Sequence, residues 1–227
     1  MGIVVIILLI LALVFGPGIW VQRVLDRYSE PADRYSLSGA EVARKLLDVN
    51  NLQTVKIEAT ETGDHYDPTD KTVRLTPDKM TGRSLTAVTV AAHEVGHALQ
   101  DSTAYGPLRL RTLLVKVVGP VQKLGAGVLM VAPIIGALTR LPQLGLLMFA
   151  GGFLTLATTT LVHFVTLPTE FDASFARALP MLDEHRILRP TDRPHARKLL
   201  TAAALTYVAA SLMSLLNIAR WWSILRR

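Results

Sequence analysis

The central stretch of the sequence runs from Ser84 to Gln100 and reads SLTAVTVAAHEVGHALQ. Apart from one glutamate and two histidines it consists mainly of Ala, Val, Leu and Thr, a composition that is not typical of a solvated helix. Ser84 is a residue type that caps helix N-termini, so the stretch predicts a largely uncharged helix that ends near Gln100.

Within this helix, residues 93–97 read His-Glu-Val-Gly-His, the HExxH pattern. Residues four apart on a helix lie about 40° apart around its axis, so the side chains of His93 and His97 can reach one metal ion. Glu94 lies beside that face, where it can take a proton from metal-bound water. Zn²⁺ lowers the pKa of such a water to about 7, which makes hydroxide available at neutral pH. The pattern therefore predicts a zinc peptidase with Glu94 as the general base.

The composition is too apolar for an ordinary soluble domain. Half of the 227 residues are hydrophobic, and 19% are charged, against about 25% in typical globular proteins. The absence of cysteine excludes a disulfide framework, a thiolate metal site and a cysteine nucleophile. The net charge of +6 comes without a long basic run or a nucleic-acid motif, so no nucleic-acid partner is expected.

Four apolar stretches are long enough to cross a bilayer. They predict a transmembrane anchor in residues 1–21, a transmembrane hairpin in residues 119–167 and a transmembrane helix in residues 202–222. Most basic residues lie in the intervening segments, 22–118 and 168–201, which the positive-inside rule places in the cytoplasm. The expected location is the plasma membrane, with several spans in the lipid bilayer and the active site facing the cytoplasm.

The cytoplasmic segment 22–118 carries signals for a small α+β part. A capping box of Ser38 and Glu41 predicts a helix to about Asp48, with the buried face at Val42, Leu46 and Leu47. Strands are predicted at 55–59 and 72–76, with a turn at 63–68 between them. The second strand is either an edge strand that pairs with an extended substrate or plain core packing. The predicted fold class is mainly α: a polytopic membrane protein with about four transmembrane helices and a small α+β zincin-like cytoplasmic part.

A catalytic zinc site needs a third protein ligand. The metzincin pattern would place a histidine at position 103, which is Thr103 here. The candidates on the same side of the predicted membrane are Glu170, Asp172, Asp183, Glu184, His185 and His195. Of these, Glu170 directly follows the predicted hairpin, which would return segment 168–201 to the side that holds the HExxH helix.

Residues 169–174 read TEFDAS. A Glu-x-x-Ala-Ser pattern after an upstream HExxH resembles the gluzincin arrangement, in which a second helix supplies a glutamate. It is also similar to the Glu-x-x-Ala-Asp motif of HtpX-type membrane proteases, but Ser174 stands where those proteases have Asp. That aspartate would support a zinc-binding histidine. The group that orients the histidines is therefore open between Asp172 and a backbone carbonyl.

Much of the chain resembles the YugP-like neutral zinc metallopeptidases, a family of bacterial membrane proteins. The matching stretches are 38–45 (SGAEVARK), 64–68 (DHYDP), 73–75 (VRL), 91–98 (AAHEVGHA), 167–171 (LPTEF) and 202–209 (AAALTYVA). The resemblance implies that His93, His97 and Glu170 bind Zn²⁺ and that Glu94 is the general base. For the oxyanion donor, Tyr207 and Arg177 are candidates, and the resemblance favours Tyr207.

These features predict a membrane-embedded zinc endopeptidase that acts on a peptide or protein substrate. Zinc-bound water, activated by Glu94, would attack the peptide carbonyl, and Glu94 would then pass the proton to the leaving amine. The alternative is a non-catalytic zinc-binding membrane scaffold or sensor. Glu94 distinguishes the two, because a purely structural zinc site has no use for a non-ligating carboxylate beside the metal.

Overall fold

The computed structural model describes residues 2–139, 142–206 and 208–209 of the chain. Its helices are α1 (Gly2–Arg27), α2 (Gly39–Val49), α3 (Pro77–Thr81), α4 (Leu85–Ser102), α5 (Gly106–Thr139), α6 (Pro142–Phe171), α7 (Leu179–Glu184) and α8 (193–206). A π-helical turn, Asp172–Ala178, joins α6 to α7, and a short 3₁₀ helix, Pro190–Asp192, precedes α8. Three strands complete the described part: β1 (Lys56–Ala59), β2 (His65–Asp67) and β3 (Thr72–Leu75).

The chain divides into two compact units. One comprises Pro17–Arg109 and Leu167–Thr206; it contains the sheet, α2 to α4, the π-helical turn and α7. The other comprises Met1–Gly16, Leu110–Thr166 and Tyr207–Arg227, and its described residues belong to helices, chiefly α1, α5 and α6. All described candidate site residues lie in the first unit.

Helix α2 begins as its sequence predicts. The Ser38 hydroxyl accepts a hydrogen bond from the Glu41 backbone N–H, and the Glu41 carboxylate accepts one from the Ser38 N–H at 2.7 Å, which completes the capping box. Val42, Leu46 and Leu47 are fully buried on one face of the helix. The predicted helix and its buried face are confirmed.

Helix α4 lies in the interior of its unit. The Ser84 hydroxyl caps it by accepting a hydrogen bond from the Ala87 N–H at 3.1 Å, and the helix extends two residues beyond the predicted Gln100. Every residue from Leu85 to Ala98 is buried. Because α2 and the β3 side chains Val73 and Leu75 join the same core, α4 is covered on several sides and its polar side chains are shielded from water.

The sheet has the strand order β1-β3-β2, with β3 parallel to β1 and antiparallel to β2. Strand β3 is therefore central, and the prediction of an edge strand at 72–76 is wrong. Its neighbour β2 arises from residues 65–67, which were predicted to be part of a turn. The bend before β2 includes Gly63, with a φ of +101°, and a turn at 68–71 connects β2 to β3. Once β2 pairs with it, β3 has no open edge for a substrate, and its apolar residues pack in the core.

The prediction of a polytopic membrane fold is wrong for the described helices. A bilayer crossing needs about 20 consecutive, predominantly apolar residues. Among the described residues, no helix combines that length with that hydropathy. The predicted span at 202–222 lies largely outside the described residues. What stands of the predicted fold class is a mainly helical chain with one small sheet.

Candidate metal centre

Three buried side chains converge between α4 and the C-terminal end of α6. The Nε2 atoms of His93 and His97 lie 3.2 and 3.4 Å from the same carboxylate oxygen, Oε2 of Glu170. The two histidines are 4% exposed and the glutamate 2%. Their ligand atoms all lie within 4.8 Å of one another, so a single metal ion could contact all three.

The cluster fits the requirements of zinc. With metal–ligand bonds of about 2.0–2.1 Å and tetrahedral angles, the ligand atoms of a zinc site are about 3.3 Å apart. The measured nitrogen–oxygen separations of 3.2 and 3.4 Å match that spacing. Two imidazoles and one carboxylate form a donor set of catalytic zinc sites, which leave a fourth position open for water or substrate.

The charge state of Glu170 also suits a metal ligand. Burial alone would raise the pKa of this carboxyl, but the charge of His97 and the hydrogen bond with His93 outweigh it and hold the pKa below its ordinary value. The carboxylate is therefore ionised at neutral pH, as a metal ligand must be.

The Nδ1 atom of His93 lies 3.1 Å from the hydroxyl oxygen of Ser174. That hydroxyl donates its own hydrogen to the backbone carbonyl of Leu200, so its oxygen is left to accept a hydrogen bond from Nδ1–H. With Nδ1 held by Ser174, the Nε2 atom of His93 would be free to bind a metal ion placed between it and Glu170. Ser174 thus occupies a supporting position behind His93, and the sequence left that position unassigned.

The Nδ1 atom of His97 lies 2.9 Å from the side-chain carbonyl oxygen of Gln100. An amide oxygen can only accept, so Nδ1 of His97 carries the hydrogen and its Nε2 faces the metal position. The sequence had left Asp172 and a backbone carbonyl as the possible partners; in the described part of the chain, Gln100 makes this contact to the His97 ring instead. The helical spacing of three residues from His97 to Gln100 was the signal that sequence reasoning overlooked.

The remaining residues of the predicted mechanism are placed as follows. Glu94 is buried on α4 directly after His93 and is not one of the three ligand residues. Arg177, the alternative oxyanion donor, gives its Nε–H to the Asp172 carboxylate at 2.7 Å. Tyr207 lies outside the described residues. Among the described groups, the predicted base Glu94 therefore directly follows a candidate ligand on α4, whereas Arg177 is hydrogen-bonded to Asp172.

The other candidate ligands lie away from the cluster. Asp183 accepts a hydrogen bond from Arg193 at 2.7 Å, and His195 stacks on Tyr28 with ring centres 5.1 Å apart. Glu184 is the last residue of α7 and is exposed, and His185 caps that helix. Of the six candidates from the sequence, Glu170 alone joins the two histidines in the part of the chain that the structure describes.

Comparison with known proteins agrees with this site. The family model described as "Putative neutral zinc metallopeptidase" matches residues 3–226. The "Putative membrane protease YugP" of Bacillus subtilis (strain 168) is 37% identical over 213 residues, which cover 93% of this chain and 91% of that protein. No solved structure matches the chain. The resemblance drawn from the sequence is confirmed, Zn²⁺ is the cofactor, and a peptide or protein is the substrate class. The chain belongs to the neutral zinc metallopeptidase family.

Proposed function

We propose that the chain is an HExxH zinc endopeptidase of the gluzincin type, with His93, His97 and Glu170 as the zinc ligands. The observation that carries this proposal is the convergence of both Nε2 atoms on one buried carboxylate oxygen of Glu170. When bound there, zinc would polarise the substrate carbonyl and lower the pKa of the attacking water.

Glu94 is the proposed general base. It follows His93 on α4 and is 6% exposed, so its carboxylate acts where little bulk water competes for the proton. It accepts a proton from water as the new C–O bond forms at the peptide carbonyl. It then gives that proton to the amide nitrogen as the C–N bond breaks, which releases an amine and returns the carboxylate.

The proposed oxyanion donor is Tyr207, on the family resemblance alone. The engagement of Arg177 with Asp172 supports this choice over the alternative donor. A Tyr207→Phe variant should lower kcat about 100-fold while leaving KM and zinc content near their wild-type values. A Tyr207→Phe enzyme with full kcat would exclude this residue as the donor.

Two substitutions test the mechanism as a whole. Glu94→Gln should retain one zinc per chain but lose casein hydrolysis by a factor of at least about 100, because the metal site is intact and the base is absent. His93→Ala should lose both zinc and hydrolysis. Glu184→Gln removes a carboxylate from an exposed position and serves as the control.

Three results would count against the proposal. Full hydrolysis by Glu94→Gln would show that Glu94 is not the general base. Unchanged zinc content in His93→Ala would show that His93 is not a zinc ligand. Wild-type protein that binds zinc but cleaves no protein or peptide substrate would instead favour the scaffold or sensor alternative.

We also propose that the chain associates with membranes, as the name of its Bacillus subtilis relative indicates for that protein. Large apolar side chains on α5 and α6 are exposed, among them Leu124, Leu138 and Leu147, and exposed apolar patches often mark interaction surfaces. Cell fractionation tests this proposal: recovery of the expressed chain entirely in the soluble fraction would contradict it.

A further inference from the structure

Gln100 is fully buried and uses all of its hydrogen-bonding capacity apart from one lone pair. Its side-chain oxygen lies 2.9 Å from Nδ1 of His97. Its amide nitrogen donates to the backbone carbonyl of Thr169 and to the Asp172 carboxylate, both at 2.8 Å. One side chain therefore contacts a ligand histidine on α4 and two residues of the segment that carries Glu170.

The two acceptors of this amide flank the third metal ligand. Thr169 precedes Glu170, and Asp172 follows it by two residues at the start of the π-helical turn. Asp172 is also held from its other side by Nε of Arg177 at 2.7 Å. Gln100 therefore attaches the segment around Glu170 to α4 at two points, one on each side of the glutamate.

An amide suits this position because of its combination of donors and acceptor. Among the side chains of this size, only glutamine offers one acceptor oxygen and two N–H donors. A glutamate could still accept from Nδ1–H of His97, but it has no donor for the Thr169 carbonyl and would face the Asp172 carboxylate. An apolar residue would leave the buried His97 N–H and the Thr169 carbonyl without partners.

We propose that Gln100 is a positioning residue that sets the tautomer of His97 and the placement of Glu170 together, and so controls the affinity and geometry of the zinc site. This inference rests on the proposed function, since it takes His97 and Glu170 as zinc ligands. Gln100 is not one of the three residues of the metal cluster, and it acts through the two ligands that it links.

The first test replaces Gln100 with leucine, which has a similar size and no polar group. The zinc dissociation constant, measured by competition with a chromogenic chelator, should rise about 10- to 100-fold. The visible absorption bands of the Co²⁺-substituted protein should change in position or intensity, because one ligand is displaced. Ser102→Ala is the control on the same helix, since that exposed hydroxyl donates to the carbonyl of Leu99 within the helix, and it should leave both readouts unchanged.

The second test is a pair of variants that nearly preserve size. Gln100→Glu keeps the acceptor for His97 but opposes two carboxylates, so zinc affinity should fall about tenfold. Adding Asp172→Asn restores a donor facing position 100 and should return the affinity to within about threefold of wild type. This pair decides the question even if Gln100→Leu does not fold.

The proposal is overturned if folded Gln100→Leu binds zinc within about twofold of wild type with the wild-type Co²⁺ spectrum. It is also overturned if Asp172→Asn fails to rescue Gln100→Glu. Failure of the proposed function is distinguishable, because there the wild-type protein itself would bind no zinc, or His93→Ala would bind it normally.

Discussion

Gly96 on α4 lies against the backbone carbonyl of Ala173 in the π-helical turn: a β-carbon at position 96 would come 2.7 Å from that oxygen. Such a distance is shorter than any ordinary Cβ contact, so only glycine permits this approach of the two backbones. Gly96 lies between His93 and His97, and Ala173 follows Glu170 by three residues. The contact therefore sets the separation of the two elements that carry the proposed ligands.

Gly96→Ala should disrupt this approach. The added methyl group has only backbone atoms to displace, at a typical overpacking cost of about 1–3 kcal/mol, which outweighs the gain of up to about 1 kcal/mol in helix propensity. We expect a lower Tm and weaker zinc binding. Gly106→Ala is the matched control, because a β-carbon there meets no atom within 4 Å. Equal Tm and zinc affinity in the two variants would contradict this reading of the contact.

Glu170→Gln tests the third ligand directly. The amide has the same size as the carboxylate but carries no charge and coordinates zinc poorly, so zinc affinity should fall by at least about 100-fold. Metal content after dialysis against chelator-free buffer measures the effect, with exposed Glu184→Gln as the control. Lost activity with wild-type zinc content would show that Glu170 is not a ligand.

Removal of zinc should destabilise the protein. Zinc binds the folded site and adds RT ln(1 + [Zn²⁺]/Kd), or about 2.7 kcal/mol at 100 times Kd, so excess chelator should lower the Tm by several degrees. Glu94→Gln should show the same chelator-dependent decrease, because it keeps all three proposed ligands. His97→Ala should show no chelator-dependent decrease in Tm. If this variant showed a decrease as large as that of the wild type, the stabilising zinc would be bound at another site.

The contacts of Asp192 predict that part of the folding stability is lost at acid pH. The Asp192 carboxylate accepts hydrogen bonds from the Arg34 guanidinium, at 2.8 Å from Nε, and from the Tyr35 hydroxyl at 2.6 Å. The hydrogen bond from Arg34 lowers the pKa of Asp192 by more than burial raises it, and the hydrogen bond from Tyr35 lowers it further. The pKa of Asp192 therefore lies below its ordinary value. A lowered folded-state pKa means that this stabilisation is present above the unfolded-state pKa, about 4, and is lost as the pH falls through the folded-state pKa.

Asp192→Asn should therefore cost about 2–4 kcal/mol of unfolding free energy at pH 7, because it weakens a buried charge-assisted network. Denaturant unfolding of wild type and variant from pH 7 to pH 3 should show the difference narrowing toward the acid end. Asp33→Asn, which removes a carboxylate from an exposed position, is the control. A difference that stays constant over this pH range would rule out the ionised carboxylate as its source.

Local features of this protein were predictable because short-range physics produces them. The caps of α2 and α4 depend on a serine hydroxyl and the N–H group three residues later. The buried face of α2 follows from helical periodicity, and so does the proximity of His93 to His97. Glu170 was one of six candidates from the sequence, and a family pattern singled it out.

Other features depended on contacts between distant segments. The central position of β3 required its pairing with β2, whose residues read as a turn, and the spans inferred from hydropathy are not supported by any described helix. The partners of the histidine rings also escaped prediction. Ser174 lies 81 residues from His93, and the three-residue spacing of His97 and Gln100 did not by itself mark the glutamine as a support for a metal site.

By itself, the sequence determined the family, the HExxH helix with its caps, and the residue types that can bind zinc, since each depends on neighbouring residues or on identity along the chain. Only the tertiary structure decided how those residues meet. Gln100 reaches Asp172 across 72 residues of sequence, and Gly96 lets the two backbones come close enough for that contact. Such separations are set by the packing of whole elements, which no local pattern encodes.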